Sequence, residues 1–336
     1  MAGAMAANLS PPPHAPEFLA SCGWGGARIE PLAGDASFRR YFRIVDGRRT
    51  AVLMDAPPPH EDVRPFVAVA EWLASVGLSA PEILGRDIGR GLLLLGDFGD
   101  WRLREMLDDD PARERQLYEL ATDVLVHLHQ HAPMPGLRVH GLDQWLEEIE
   151  LFTDWYCPAL GLPVDVEGYR SAWRSVLEPV AADGLGPVTV LRDYHAENVM
   201  LVEGREGVAH FGLLDFQDAL SGHPAYDLAS VLEDARRDVP EEIERAMLDR
   251  YVAATGHGGA FERAYWTLAA QRNTRILGVF TRLWKRDGKP HYTGFQPRMW
   301  GLLERDLARP ELEPVRRWFD ANVAPEHRAA PWAKAA

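Results

Sequence analysis

The sequence predicts an α+β protein of two lobes, a small mixed β-sheet lobe followed by a larger, mainly helical one. Three observations carry this. Short apolar runs separated by turn residues fill the first hundred positions, helical periodicity takes over after Trp101, and a strand–turn–strand stretch at 188–215 interrupts the helices. A chain of 336 residues can bury the cores of two such lobes.

The strands come first. Segments 28–32, 38–45 and 50–54 are divided by "AGDAS" and "DGRR", both good turn chemistry. After "DAPPPH", Val63, Phe66, Val67, Ala70, Leu73 and Ala74 recur at helical spacing over 62–76, with Asp62 available as N-cap. Strands at 82–86 and 91–95 complete the small lobe. Helices are then expected at 117–128, 142–156 and 166–181, and after the interruption at 226–235, 241–254, 261–284 and 294–308. The domain reading is a flexible leader at 1–20, an N-terminal lobe at 21–97, a C-terminal lobe at 98–325 and a flexible tail at 326–336.

Composition excludes several classes. Apolar content of 46% and charged content of 26% are ordinary for a globular protein. A net charge of −14 leaves no domain-wide basic footprint for nucleic acid. Two isolated cysteines, Cys22 and Cys157, suit a reducing cytoplasm. No apolar run approaches the roughly 20 residues of a membrane helix, and the start has no signal-peptide pattern. A cytoplasmic protein without nucleic-acid or membrane partners is expected.

The chemistry concentrates in "LRDYHAENVM" (191–200) and "FGLLDFQDA" (211–219). Asp and Asn also favour turns for local hydrogen-bonding reasons. Yet Asp193, Asn198 and Asp215 together supply what phosphoryl transfer asks of a protein: a carboxylate for the acceptor's proton and oxygen ligands for Mg²⁺ between ATP phosphates. Only one of the four asparagines, Asn198, has an Asp five positions before it.

"LRDYHAENVMLV" with "GLLDFQDALSGHPAYDLA" resembles the catalytic core of the aminoglycoside phosphotransferase/choline kinase-like family, which has a protein-kinase-like fold. The resemblance implies ATP and Mg²⁺ as cofactors, Asp193 as catalytic base, Asn198 and Asp215 as metal ligands, and His195 and Asp227 as structural supports. Gly222, Pro224, Asp227 and Leu228 match the family's later Gly-x-Pro-x-x-Asp-Leu segment. Two positions depart from the pattern. Leu191-Arg192 stands where His-Gly is usual, and Met54 stands near the place of the phosphate-gripping lysine. Either one of Arg39, Arg40 and Arg43 replaces that cation, or the hairpin face is simply solvated. By alternation, Arg39, Tyr41 and Arg43 share one face and Arg40 takes the other. The 34–37 turn, with Ser37 and Phe38, is placed over the phosphates, and backbone groups around Leu95–Asp97 against the adenine.

Within the family, "GDASFRRYFR", "VLMDAPP", "RDYHAENVM", "LLDFQDA" and "LGVFTRL…RDGK…Y" are most similar to the anomeric kinases of bacterial cell-wall recycling, which phosphorylate C1 of N-acetylmuramate and N-acetylglucosamine. An amino sugar is then the expected partner, with Gln217, Asp218, Asn273, Arg275 and Arg282 as candidate contacts. A lactyl carboxylate favours an arginine among them. The competing readings are a kinase for an aminoglycoside, choline or another sugar, and a nucleotide-binding pseudokinase.

Overall fold

The structure, a computed structural model, describes residues 10–32, 38–328 and 332. The chain forms two compact units, one of residues 1–103 with 198–218 and one of 104–197 with 219–336.

The first unit begins with α1 (Ala15–Ser21), a two-turn helix that starts inside the leader expected at 1–20 and ends one residue beyond it. Its Ala15, Phe18 and Leu19 follow i, i+3, i+4 spacing and are buried. Then come β1 (Arg28–Pro31), β2 (Arg40–Asp46), β3 (Arg49–Asp55), α2 (Arg64–Ser75), β4 (Ile83–Asp87) and β5 (Leu92–Gly96). The strands form one antiparallel sheet in the order β1-β2-β3-β5-β4. Alternation sends Phe42, Ile44, Ala51, Leu53, Leu92 and Leu94 to the face covered by α1 and Trp24. Leu93 and Leu95 are buried too, which is why this strand reads as an unbroken leucine run. At the start of α2, Asp62 accepts from the Arg64 backbone N–H at 3.0 Å, although Val63 occupies the cap position.

The second unit starts with α3 (Leu103–Asp109), whose first residue belongs to the first unit, and α4 (Glu114–His129). It continues through β6 (Val139–His140), α5 (Leu142–Leu151), a π-turn (Phe152–Tyr156), α6 (Cys157–Ala159), α7 (Val166–Ala181) and β7 (Val188–Val190). One helix was expected over 142–156. Instead its last turn widens to bury Phe152 and Tyr156, and the backbone of Leu151 lies where a Cβ on Gly278 would be, at 2.3 Å.

The chain then returns to the first unit as a hairpin of β8 (Val199–Leu201) and β9 (Phe211–Leu213). The 98–325 boundary is corrected here. Leu213 N donates to Ser79 O at 2.7 Å, Leu201 N to Trp101 O at 2.7 Å, and the Phe66 and Phe216 rings lie 4.8 Å apart. A side chain on Gly212 would strike Phe98 at 2.5 Å. The second unit resumes with β10 (Leu220–Gly222), which joins β6 and β7 in a small sheet. Six helices follow: α8 (Ala225–Leu232), α9 (Glu241–Thr255), α10 (Gly259–Lys285), α11 (Gln296–Leu307), α12 (Glu313–Asn322) and α13 (Pro325–Arg328). The expected tail is structured in part, since Trp332 donates to Gln296 at 2.6 Å and tilts against Trp284 and Tyr156.

Candidate active site

In the second unit, β7 runs into a loop held by buried carboxylates. Asp227 on α8 accepts from the N–H groups of Leu191, at 2.5 Å, and Arg192, at 2.9 Å. Arg192 has φ +74°, the left-handed conformation a glycine takes without strain. A carboxylate spanning two successive N–H groups explains how an arginine tolerates that turn. Burial raises the Asp227 carboxyl to about 7, opposed by those two donors. Asp193 follows directly and donates its N–H to Leu191 O at 3.0 Å. Tyr194 is buried, its hydroxyl donating to Ala121 O at 2.9 Å.

A second clamp was not foreseen. Asp234 accepts from Ala196 N at 3.1 Å and Arg236 N at 2.8 Å. Arg236 Nε pairs with Glu197 at 2.9 Å, and its Nη1 lies 3.4 Å from His195 Nε2. Burial, then Arg236, lowers His195 to about 3, so the ring is neutral at physiological pH. His195 is thus a buried, neutral member of the loop. The run "EDARRD" (233–238) held the signal for this clamp, but a charged helix end ordinarily reads as solvated.

In the first unit, the β8–β9 hairpin brings Asn198 and Asp215 to one end. Val199 pairs with Leu213, Leu214 N donates to Asn198 O at 2.9 Å, and Asp215 follows with φ +57°. Arg39 Nη2 lies 3.4 Å from Asp215 Oδ1, to which Gln217 Nε2 donates at 2.7 Å. The two candidate ligands are hard oxygen donors at adjoining ends of paired strands. That set suits Mg²⁺, which fills its remaining positions with phosphate oxygens and water.

The three arginines part company. Arg39 is nearly buried and faces Asp215, with Glu61 at 4.0 Å. Arg40 turns to the opposite face, over the Phe42 ring, and its Nε donates to buried Asp55 at 2.9 Å. Arg43 pairs with Asp97 and Asp100, each at 2.8 Å. Met54 is buried between Tyr41 and Leu93 in the sheet. Asp97 spends its carboxylate on Arg43 and the Gly99 N–H, and Leu95 sits in the ladder between β3 and β4. Phe38 is exposed and stacks on His60 at 4.9 Å. Ser37, with the turn 34–37, lies outside the described residues.

The expected sugar contacts also separate. Gln217 and exposed Asp218 belong with Asp215 in the first unit. Arg275 and Arg282 lie on α10 in the second, where Arg275 shares Glu148 with Arg192. Asn273 is a correction. It is fully buried, and its amide donates to Glu233 and to Asp306 at 2.9 Å, so it serves the core.

That core network gathers Glu233, Glu244 and Asp306 around Arg305, with Tyr265 donating to Glu244 at 2.7 Å. Three buried carboxyl groups exceed one guanidinium. Burial and then Glu233 raise Glu244 to about 8, against an ordinary 4.5. The unfolded chain releases that proton near 4.5 and the folded chain only near 8. This contribution to stability is therefore complete below about 4.5 and lost as pH rises to 8. The expected result is a melting temperature that falls from pH 6 to pH 9, with a shallower decline in Glu244→Gln. Parallel pH profiles for the two proteins in thermal unfolding contradict this.

A sequence profile of the phosphotransferase enzyme family matches residues 28–266. An N-acetylmuramate/N-acetylglucosamine kinase of Caulobacter vibrioides is 38% identical, over 93% of this chain and 96% of its own. Another so named, from Pseudomonas aeruginosa, is 39% identical over 88% and 90%. A solved structure of a choline/ethanolamine kinase family protein from Mesorhizobium loti is similar with a TM-score of 0.62, covering 92% of this chain and 97% of its own. At 16% identity that likeness concerns the fold. The chain therefore belongs to the phosphotransferase enzyme family and has its protein-kinase-like fold.

Proposed function

We propose that this protein transfers the γ-phosphoryl group of ATP to the anomeric hydroxyl of N-acetylmuramate or N-acetylglucosamine. The supporting observation is the 38% and 39% identity to two kinases named for those sugars, of which this chain covers 96% and 90%. The same reading makes it a cytoplasmic monomer in the reuse of cell-wall sugars.

Asp193 orients the acceptor hydroxyl and collects its proton. An anomeric hydroxyl is more acidic than an ordinary alcohol, so the transfer can come late. Asn198 and Asp215 hold Mg²⁺, which when bound neutralises charge on the phosphate oxygens. Arg39 stands for the absent lysine, and the Leu95–Asp97 backbone receives the adenine. Gln217, Asp218 and Arg275 belong to the acceptor's surroundings.

Incubation with ATP, Mg²⁺ and a panel of amino sugars, alcohols and aminoglycosides tests the reading by ADP release, and ³¹P NMR assigns the product. A sugar 1-phosphate is expected. A 6-phosphate, or turnover of aminoglycosides alone, excludes it.

A further inference from the structure

On one face of α10, Arg275 and Arg282 have a single carboxylate, Glu148, within ion-pair distance among the described residues. Arg275 and Arg282 are seven residues apart, two turns, and so share a face with about 10 Å between them. Arg275 Nε lies 3.5 Å from Glu148 Oε1, and Arg192 Nη2 lies 3.4 Å from the same oxygen. The other oxygen of Glu148 faces His140 at 3.2 Å and Gln271 at 3.3 Å. Burial works to raise the Glu148 carboxyl, but Arg275, His140 and Arg192 outweigh it and bring it down to about 2. One carboxylate, ionised throughout the working range, therefore serves two guanidinium groups at long range.

Arg282 extends the surplus. Among the described residues no acid lies within ion-pair distance of it, and its buried Nε has no hydrogen-bond partner. Arg286, one turn further, is engaged by Asp287 at 2.7 Å. Burial and the charges of Arg286 and Arg275 depress the Arg282 guanidinium, with Asp287 opposing. A half-buried cation among cations is unfavourable until an anion arrives. The charge of Asp193 acts on Arg275. Arg282 lies two turns further along the same face of α10.

We propose that Arg282 receives the carboxylate of an acidic sugar acceptor. The inference rests on the sugar-kinase reading and refines it. N-acetylmuramate is N-acetylglucosamine with a lactyl ether on C3, so its carboxylate lies across the ring from the anomeric hydroxyl. A cation that serves it stands away from the base, and Arg282 is two turns beyond the arginine on which Asp193 acts. Guanidinium is suited to the task because its fork matches a carboxylate with two charge-assisted hydrogen bonds.

The test is steady-state kinetics of wild type, Arg282→Gln and Arg282→Lys with N-acetylmuramate, its methyl ester and N-acetylglucosamine. In Arg282→Gln, kcat/KM for N-acetylmuramate should fall about tenfold or more, mainly through KM, because charge-assisted bonds are lost. The uncharged ester and N-acetylglucosamine should change far less, and lysine should restore part of the loss. A merely structural arginine would cost all three acceptors alike, and that outcome, or no loss with any, overturns the proposal. So does a wild type that phosphorylates N-acetylglucosamine but not N-acetylmuramate, with the sugar-kinase reading intact. A wild type that phosphorylates neither sugar overturns both.

Discussion

Asp215→Asn is expected to weaken MgATP binding by about tenfold or more, the range seen when a metal's surroundings are disturbed. Asp193→Asn should leave that affinity nearly unchanged and reduce turnover by about 10²–10⁴, the usual contribution of a positioned general base. The difference follows from when each group acts. A metal ligand contributes while the nucleotide is bound in its ground state, whereas an acceptor-orienting base contributes mainly on the way to the transition state. The two residues also sit in different settings. Asp215 ends the β8–β9 hairpin beside Arg39 and Gln217, while Asp193 follows a turn fixed by Asp227. Calorimetric titration with MgATP, beside single-turnover rates, measures both quantities. Equal loss of affinity in the two variants contradicts the assignment.

The fold was legible wherever local pattern and burial agree. The small-lobe strands and α2 fall within two or three residues of their expected places, because period-2 and period-3.6 signals there reflect real faces. α1 was hidden because two turns behind a proline run offer too little period to read. The hairpin's membership of the first unit was not readable at all. It depends on Ser79 and Trp101, a hundred or more residues earlier, and no local propensity encodes such a pairing.

The site divides along the same line. Asp193, Asn198 and Asp215 were visible as a spaced motif. The apparent defect at Arg192 becomes intelligible only once Asp227 is seen spanning the turn. Asn273 misled because a polar residue on a long helix looks the same in sequence whether it faces a ligand or a buried carboxylate. Asp234 and Glu148 went unread for the converse reason, as charges on helices are ordinarily solvated.

Arg39→Ala is expected to raise the ATP Michaelis constant, lower turnover, or both, by about an order of magnitude or more. Met54 is buried in the sheet and offers phosphate no donor, so any phosphate-gripping cation comes from another position. Sequence alone left three arginines to choose from, and their partners now distinguish them. Arg40 is committed to Asp55 and Arg43 to Asp97, each a carboxylate with little exposure, so both arginines serve the sheet and the segment after it. Arg39 alone of the three faces the candidate metal ligand, at 3.4 Å. A largely desolvated arginine there would contribute charge-assisted hydrogen bonds to phosphate worth roughly 1.5–3 kcal/mol. Alanine at 40 or 43 should instead strand a buried carboxylate, lowering thermal stability while ATP kinetics change less. Three single variants, each measured by melting temperature and by ATP kinetics, separate the roles. If Arg39→Ala keeps near-normal ATP kinetics while either neighbour loses them, the assignment moves to that neighbour. If all three keep them, the phosphate-binding cation does not come from β2 or the residue before it.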